Sequence, residues 1–151
     1  MADNLSSEHR SLCMSRIRSR DTKPELIVRK IAHHLGYRFR LHRTDLPGKP
    51  DLVFPGRMKI ILVHGCFWHK HRCRFGNPVP ATNHEYWAQK RAGNVERDNR
   101  IRRQLRLLGW MILVVWECQT WPKQRGWLAD RLDSFLSSRH ASQSIGVCNR
   151  T

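Results

Sequence analysis

The first clear pattern of apolar positions predicts a helix over residues 22–36. Thr22 is suited to cap its start, Pro24 fits its first turn, and Glu25 stands where it would close a capping box. Gly36 is suited to end the helix. The apolar side chains that recur at helical spacing along it are Ile27, Ile31 and Leu35.

Four later segments have the apolar pattern of strands. Alternation of apolar and polar residues over 37–42 predicts a strand with one wet face, and 51–54 predicts a short strand. A turn at 55–57 leads into a strand over 58–64. The segment 110–116 is apolar on both faces, which favours a central strand of the sheet.

Two further helices are predicted, one over about 83–108 and one over 126–137. Their apolar stripes are Ile101, Leu105 and Leu108 in the first, and Leu128, Leu132 and Phe135 in the second. The element order is therefore α-β-β-β-α-β-α. It predicts an α/β fold in which a hairpin feeds a crossover helix that returns to a parallel strand. The result would be a mixed four-stranded sheet flanked by helices.

We expect a single domain over residues 1–151, a length that can bury a sizeable core. The two ends, residues 1–20 and about 138–151, look poorly structured on their own, and the second is expected to be a flexible tail. Residues 65–83 are too long for a tight turn. Their Gly, Pro and Asn residues indicate an irregular loop that a metal could hold together.

The charge balance narrows the class of partner. The chain has 28 Lys and Arg against 12 Asp and Glu, a formal net charge of +16, and its pI is near 11. Such a surface attracts polyanions, with nucleic acid as the first candidate. We expect no membrane partner, because no apolar segment approaches the roughly 18 residues that a transmembrane helix needs.

Cysteine usage and the N-terminus together predict a cytoplasmic setting. The five cysteines are an odd number, and the N-terminus has no apolar core of a signal peptide. Both features favour reduced thiols or metal ligands over a disulfide framework. Cys13 and Cys148 lie in the expected tails and are predicted to be free thiols.

A set of soft metal ligands follows the strand 58–64. Cys66, His71 and Cys73 offer two thiolates and an imidazole, which suit tetrahedral zinc, although their spacing is not a common zinc-finger pattern. Cys118 comes just after the next predicted strand, and neighbouring parallel strands end on the same side of a sheet. It would complete a closed structural Cys3His site. The alternative is that Cys118 is an ordinary buried thiol.

Asp51 is the acidic residue most suited to a catalytic metal. It opens a strand after a loop rich in Gly and Pro, where nucleases of the PD-(D/E)xK type have an aspartate that holds Mg²⁺. The following strand ends at Val63 and His64 with neither a second acid nor a lysine. Simpler roles stay open for both acids on the residues alone: Asp51 as a turn residue, and Glu25 as no more than the closing member of the capping box.

Several motifs in a fixed order carry a resemblance to a known family. They are Met14 with Ile17, Arg20-Asp21-Thr22, Pro47-Gly48-Lys49-Pro50-Asp51, His64-Gly65-Cys66-Phe67-Trp68-His69, His71 with Cys73, Asn94-Val95-Glu96-Arg97-Asp98 and Trp116-Glu117-Cys118. Over residues 10–120 the chain resembles the very-short-patch-repair (Vsr) DNA mismatch endonucleases. The resemblance implies a restriction-endonuclease-like core of the PD-(D/E)xK type that carries a structural zinc.

The same resemblance implies a reaction and its cofactors. A Mg²⁺-dependent enzyme of this family nicks one DNA strand 5′ of the mispaired T in a T·G mismatch, which arises when 5-methylcytosine deaminates. This cut starts very short patch repair in the bacterial nucleoid. The resemblance assigns Mg²⁺ to Asp51 and the backbone carbonyl of Val63. It makes His69 the general base, oriented by Asp98, with Glu25 and His64 in the surrounding shell.

Aromatic residues between the two metal motifs are the predicted DNA probe. By the resemblance, Phe67 and Trp68 wedge into the base stack beside the mismatch, while Met14 and Ile17 enter from the opposite groove. Such insertion is easiest where pairing is already disturbed. The alternative is that Phe67 and Trp68 pack over the zinc site. The basic residues that could contact phosphate are Arg16, Arg18, Arg20, Arg97, Arg100, Arg102, Arg103 and Arg106, although such a run is more often a solvated helix face.

Two other functions remain open from the sequence. One is a sequence-specific endonuclease that cuts matched duplex, and the other is a zinc-stapled DNA-binding module without catalysis. Asp51 argues against the second, because an acid beside a pure DNA-binding loop would repel phosphate. We expect a monomer. A repair nickase would hand its product to mismatch-repair and polymerase proteins, but no motif identifies a surface for these partners.

Overall fold

The structure is a computed structural model that describes residues 6, 8, 9, 11, 12 and 20–139. Its helices and strands follow the predicted order. They are α1 (Lys23–His34), β1 (Arg40–Leu41), β2 (Leu52–Phe54), β3 (Lys59–His64), α2 (His84–Leu107), β4 (Met111–Trp116) and α3 (Arg125–Ser137), with 3-10 turns at Pro55–Arg57, Glu117–Thr120 and Pro122–Gln124.

The four strands form one mixed sheet in the order β1-β2-β3-β4. The first three are antiparallel neighbours, whereas β3 and β4 run parallel, with register from Lys59 opposite Met111 to His64 opposite Trp116. The helix α2 makes the crossover between these two strands. The mixed sheet with a hairpin and a crossover helix is therefore confirmed. It brings the segments that follow His64 and Trp116 to the same end of the sheet.

The prediction that 110–116 forms a central strand is wrong. Within the described residues β4 lies at the edge of the sheet, beside β3 alone. It is apolar on both sides because both faces of the sheet are covered, and a covered edge strand has the same pattern as a central one. Leu113 and Val115 face one core, whereas Ile112 and Val114 face the other.

Each face of the sheet has its own hydrophobic core. On one face α1 and α3 pack on the strands through Val28, Ala32, Leu128, Leu132 and Leu136 against Leu52, Phe54, Ile61 and Val115. On the other face the second half of α2 packs through Ile101 and Leu105, with Trp110, against Val53, Ile60 and Leu62. Within the described residues, no helix is both long and apolar enough to cross a membrane.

Helix α1 differs from its prediction in which side it buries. Val28 and Ala32 are fully buried, whereas Leu35 is 36% exposed. Glu25, three residues before Val28, is also buried, so the inward line of α1 joins the core to a polar cavity. The capping box is also different. The Thr22 hydroxyl donates to Glu25 (3.0 Å), and Glu25 accepts from the backbone N–H of Asp21 (2.9 Å).

The first predicted strand is much shorter than expected. Only Arg40–Leu41 pairs with β2, although 37–42 has the alternating pattern. The buried Tyr37 donates its hydroxyl hydrogen bond to Asp133 on α3, at 2.6 Å. Tyr37 is thus held by the helix layer, whereas Phe39 packs edge-on against Phe54 of β2 without joining the sheet.

The loop before β2 packs tightly against α2. Gly48 has a φ of +73°, and a Cβ there would lie 2.6 Å from Cγ2 of Ile101. Both the left-handed backbone and the lack of space therefore require glycine. This contact holds the loop against α2 at the end of the sheet, where its residues line one side of a cavity.

At the opposite end of the hairpin, Lys59 caps the carboxyl end of α3. Its side chain is 1% exposed and its Nζ donates to the carbonyl of Phe135 (2.5 Å), the carbonyl of Leu136 (3.2 Å), and the carbonyl and hydroxyl oxygens of Ser138. The last carbonyls of a helix have no partner within the helix. A buried lysine here satisfies them.

Candidate active site

A cavity of about 490 Å³ opens at the carboxyl end of β3, between the start of α1 and the middle of α2. It contains all five residues that the sequence made candidates for catalysis. The polar residues that line it are Glu25, Thr44, Lys49, Asp51, His64, His69, Arg97 and Asp98. Residues that are far apart in the sequence thus share one small volume, which is what a chemical reaction on a bound phosphate would need.

Asp51 stands at the entrance to β2, where the hairpin holds it against β3. Its carboxylate accepts a hydrogen bond from the backbone N–H of Val63 at 2.7 Å. Burial raises the pKa of Asp51 to about 7, and the nearby Glu25 carboxylate adds to the rise. A buried carboxyl that resists ionisation would be stabilised as an anion by a cation beside it. The site therefore suits a divalent metal ion.

Two imidazoles stack in the cavity. The rings of His64 and His69 lie 4.1 Å apart between centroids at an interplanar angle of 9°, and His64 also meets the edge of Trp116. Burial lowers the pKa of His64 to about 4, with His69 as a further cause. His64 is therefore neutral at physiological pH, and one of its ring nitrogens can accept a hydrogen bond or bind a metal.

His69 is paired with Asp98 of α2 by a close contact between Nδ1 and a carboxylate oxygen. Burial alone would raise the pKa of Asp98, but the hydrogen bond from His69 and the nearby cations hold it below its ordinary value. Because an ionised carboxylate can only accept, the proton of neutral His69 lies on Nδ1. Its Nε2 then has a free lone pair. This is the tautomer that a general base needs.

Glu25 forms the wall of the cavity on the α1 side. Its carboxylate accepts hydrogen bonds from Asp21, Thr22 and Arg29, the last at 3.2 Å. Arg29 also contacts Asp21 at 2.8 Å. The charge of Glu25 is therefore already compensated, so it is less suited than Asp51 to be the principal metal ligand.

A second cluster lies beyond the ends of β3 and β4. The ligand atoms of Cys66, His71, Cys73 and Cys118 all lie within 4.8 Å of one another, so these residues could hold one metal ion. His71 Nδ1 is 3.7 Å from the sulfur of Cys66 and 3.6 Å from that of Cys118. The parallel pairing of β3 and β4 brings Cys118 across the sheet, as the sequence predicted.

The surroundings of this cluster shift the thiol pKa values of its cysteines in different directions. Burial raises the pKa of the Cys66 and Cys118 thiols. Burial also acts on Cys73, but the backbone N–H groups of Phe75 and Gly76 outweigh it and lower its pKa. Buried thiols lose their protons readily only when a cation replaces them, as in metal sites.

The loop between the two clusters presents aromatic side chains. Phe67 and Trp68 are half-buried and lie 5.2 Å apart between ring centroids. Both also contact Trp87 of α2, at 5.6 and 5.8 Å, and Lys90 extends its amino group over Trp68 and Trp87. The three rings form one cluster, which we call the aromatic cluster. It lies against α2.

The sequence alone did not identify every residue around these sites. Trp87 was missed because it lies in an ordinary helical stretch, and only its neighbour Tyr86 hinted at an aromatic surface. Lys49 was missed as a residue of the cavity wall. Met14 and Ile17, together with Arg16, Arg18, Cys13 and Cys148, lie outside the described residues.

The predicted basic residues of α2 have different surroundings. Arg97 lines the cavity, and Arg100, Arg103 and Arg106 are exposed along the rest of the helix. Arg102 is partly buried and donates to Asn99 at 2.5 Å. A cationic helix face thus begins at the candidate active site and extends away from it. Such a face attracts nucleic acid by releasing bound counterions.

Comparisons with known proteins agree with this chemistry. The family model of the DNA mismatch endonuclease Vsr matches residues 2–75. The Type II nicking enzyme V.XorIIP of Xanthomonas oryzae pv. oryzae is 50% identical over 136 residues, which are 90% of this chain and 98% of that protein. The DNA mismatch endonuclease Vsr of Escherichia coli is 38% identical over 148 residues, covering 96% of this chain and 94% of that protein.

A third relative, the Type II nicking enzyme V.NmeAIP of Neisseria meningitidis, is 38% identical over 136 residues, which are 90% of this chain and 95% of that protein. All three similarities extend over nearly the whole of both chains. The chain therefore belongs to the Vsr family of DNA mismatch endonucleases, and it is a DNA endonuclease.

Proposed function

We propose that this endonuclease is a Mg²⁺-dependent, strand-specific nickase that cuts 5′ of the mispaired T in T·G mismatches left by deamination of 5-methylcytosine. Its product would enter very short patch repair. The observation that carries the proposal is the shared cavity, in which the His69–Asp98 pair lies with the half-buried Asp51. Phe67 and Trp68 of the aromatic cluster directly precede His69 in the same loop.

The cavity fits a divalent metal at Asp51. The carboxylate of Asp51, with its raised pKa, and the backbone carbonyl of Val63 would hold Mg²⁺. The ion would stabilise the negative charge that develops on the phosphate during cleavage. Glu25 and His64 would complete the shell around this position and contact water or phosphate there.

His69 would accept the proton of the attacking water through its free Nε2. Asp98 fixes the ring and the tautomer, and it stabilises the imidazolium that forms when the proton arrives. The neutral, buried His64 stacked on His69 limits the rotation of the ring. Such fixed geometry is worth several powers of ten in rate for a positioned proton transfer.

We further propose that Cys66, His71, Cys73 and Cys118 bind one structural Zn²⁺. Three thiols and one imidazole within a 4.8 Å cluster match the closed tetrahedral sites that zinc prefers. His71 is held face-on by Trp116, with ring centroids 4.3 Å apart. The ion would fix the loop that carries both Phe67 and His69.

The DNA-binding proposal combines the aromatic cluster with residues of the N-terminal arm, 1–20. Phe67 and Trp68, with Trp87 behind them, would enter the base stack at the mismatch, and Met14 and Ile17 would enter from the opposite groove. Unstacking costs a few kcal/mol and costs least where pairing is already disturbed. The difference favours a T·G mismatch over matched duplex.

The fold proposal follows from the position of Asp51. A mixed sheet with an acid at the start of the second strand of a hairpin, beside a parallel crossover, supports a restriction-endonuclease-like core of the PD-(D/E)xK type. We propose that residues 1–151 act as one monomeric domain. Residues 140–151 of the predicted tail lie outside the described residues. The DNA-binding module without catalysis is set aside, because the family consists of endonucleases.

A single-turnover nicking assay tests the proposed function. Duplexes that carry T·G or C·G at a cytosine-methylase site are incubated with Mg²⁺ and with wild type, Asp51→Asn or Asp130→Asn. Asp130 is an exposed carboxylate of α3 and serves as the matched control. We expect the wild type and the control to nick only the T·G duplex, and Asp51→Asn to lose at least about a thousandfold in rate.

Two results would contradict the proposal. Equal nicking of the C·G duplex would favour the sequence-specific endonuclease instead. Full activity of Asp51→Asn, or full activity without divalent metal, would remove Asp51 and Mg²⁺ from the reaction.

The zinc site has its own test. Atomic emission should find one zinc per wild-type chain and about none in Cys118→Ser, because three ligands hold zinc far more weakly than four. Cys148→Ser is the matched control and should keep a full equivalent. Unchanged zinc content in Cys118→Ser would exclude Cys118 as a ligand.

A further inference from the structure

Arg91 is a buried cation that the proposed mechanism does not use. It lies on α2, is 1% exposed, and has the largest side chain among the fully buried residues. Its guanidinium donates to the carbonyls of Phe67 (2.7 Å) and Pro78 (3.2 Å), and it makes a close contact with that of Gly76. Within the described residues no carboxylate pairs with it.

Burying the charged side chain of Arg91 destabilises the fold unless its N–H groups all find hydrogen-bond acceptors. Burying a charge without a counter-ion is unfavourable, and burial lowers the pKa of this guanidinium. The cost is offset by three hydrogen bonds to one loop. Residues 65–83 contain no helix or strand, so their carbonyls lack the partners that regular structure would supply. Arg91 supplies those partners from outside the loop.

The contacts of Arg91 connect the aromatic cluster with the cysteine-histidine cluster. Its guanidinium lies over the ring of Phe67, 4.8 Å from the centroid. On the other side it holds Gly76, which is packed so closely that a Cβ would lie 2.2 Å from the carbonyl oxygen of His71 and 2.7 Å from that of Cys66. Arg91 therefore fixes Phe67 relative to the segment that carries two of the candidate metal ligands.

Arg91 is also the first of three anchors on one side of α2. Asn94 donates to the carbonyl of Trp68 at 3.1 Å, and Asp98 holds His69. Positions three and four apart on a helix share a face. The helix thus holds three consecutive loop residues, 67 to 69, in order along its axis. Only the anchor at Phe67 is a cation with several donors.

We propose that Arg91 is a positioning residue that sets the orientation of Phe67 in the aromatic cluster and thereby the enzyme's preference for mismatched over matched DNA. The inference rests on the proposed function and adds to it. Arg91 acts through Phe67 and its carbonyl and is too deeply buried to touch DNA. Arg91 does not affect the orientation of His69 for proton transfer, which depends on Asp98.

The test compares Arg91→Met, which keeps the length of the side chain but has no donors, with Arg91→Lys, which keeps the charge but not the planar set of donors. Arg103→Met, an exposed arginine of the same helix, controls for the loss of one positive charge. For each protein we would measure affinity for T·G and C·G duplexes without divalent metal, the nicking rate at saturating DNA, and its pH profile. Zinc content and melting temperature would verify folding.

We expect Arg91→Met to reduce the ratio of T·G to C·G affinity by about tenfold, because Phe67 would lose the group that holds both its carbonyl and its ring. Arg91→Lys should recover part of that ratio. The pH profile of nicking should not move, because the His69–Asp98 pair is untouched. Arg103→Met should weaken binding of both duplexes by the same factor.

A folded Arg91→Met protein with the affinity ratio of the wild type would overturn the inference, as would an equal loss on both duplexes. If Arg91→Met does not fold, the affinity ratio of Arg91→Lys decides instead, and a ratio equal to that of the wild type would overturn the inference. A wild type without any preference for T·G would overturn the proposed function and this inference with it. A preference that survives in the Arg91 variants would overturn the inference alone.

Discussion

The β2–β3 hairpin has a charged residue at each end, the buried Lys59 and the half-buried Asp51, and their surroundings are opposite in kind. Lys59, at the start of β3, donates to four oxygen atoms at the end of α3. Asp51, at the other end, accepts one hydrogen bond within the described residues, from Val63. Burial lowers the pKa of Lys59 and raises that of Asp51 to about 7.

The difference separates a structural charge, that of Lys59, from the charge of Asp51, for which we propose a role in catalysis. A buried charge whose hydrogen-bonding capacity is filled by the protein stabilises the fold, because its removal leaves several partners unsatisfied. A buried charge with most of its capacity unfilled destabilises the empty fold and gains when a ligand arrives. The same hairpin thus supports the helix layer at one end and carries the proposed metal site at the other.

The larger expected effect on stability comes from a substitution of Lys59. Lys59→Met should lower the free energy of unfolding by about 3 kcal/mol, because the carbonyls of Phe135, Leu136 and Ser138 all lose a charged donor. Arg57 and the Ser138 hydroxyl still donate to Leu136 and Phe135 but do not replace the ammonium group. Nicking of the T·G duplex, measured well below the melting temperature, should stay within about twofold of the wild type. Denaturant unfolding and the nicking assay measure the two effects.

The matched control is Lys123→Met, an exposed lysine before α3 that should change stability by less than about 0.5 kcal/mol. A Lys59→Met protein as stable as this control would show that the four contacts of Lys59 contribute nothing.

The smaller expected effect concerns the Asp51 end and has the opposite sign. The pKa of Asp51 is raised in the folded protein, so its contribution favours folding below the unfolded value near 4 and is lost as pH rises towards 7. Asp51→Asn has no such loss. In protein without divalent metal, it should be more stable than the wild type at pH 8 by about 2 kcal/mol, and the gap should shrink towards pH 5.

Added Mg²⁺ should narrow this gap at pH 8, since the ion stabilises the carboxylate of the wild type and has no such effect on the amide. Urea unfolding of both proteins at several pH values, with and without Mg²⁺, measures it. A gap that is constant with pH would mean that Asp51 is ionised without penalty, and the contrast with Lys59 would then fail.

Local patterns predicted the elements well but not always which side they bury. The order of strands and helices followed from periodicity and from turn residues such as Gly36 and Gly109, both of which have positive φ. The burial of Val28 and Ala32 in place of Leu35 could not be predicted. The buried side of α1 also contains Glu25, a polar residue that faces the cavity, so the apolar positions alone did not mark that side. The edge position of β4 was hidden for a similar reason. A strand covered on both faces has the same composition wherever it lies in the sheet.

Residues of the candidate sites could be predicted where they belong to a family motif or follow one of two parallel strands. Cys118 was assigned to the cluster of Cys66 because parallel strands end together, and the structure brings them into contact. Asp98 and His69 came from the family resemblance. Trp87 and Arg91 had no such signal. The roles that we propose for them depend on which side of α2 faces the irregular loop, and a helix with few apolar residues does not reveal that side.

Trp116 joins the two candidate centres physically. The edge of its indole meets His64, and its face covers His71, with centroids 5.4 and 4.3 Å away. Loop 65–83 therefore cannot serve as a portable module. A protein engineer who wished to graft this chemistry onto another sheet would have to transfer β3, the whole crossover and β4 together, with the indole between the two histidines kept in register.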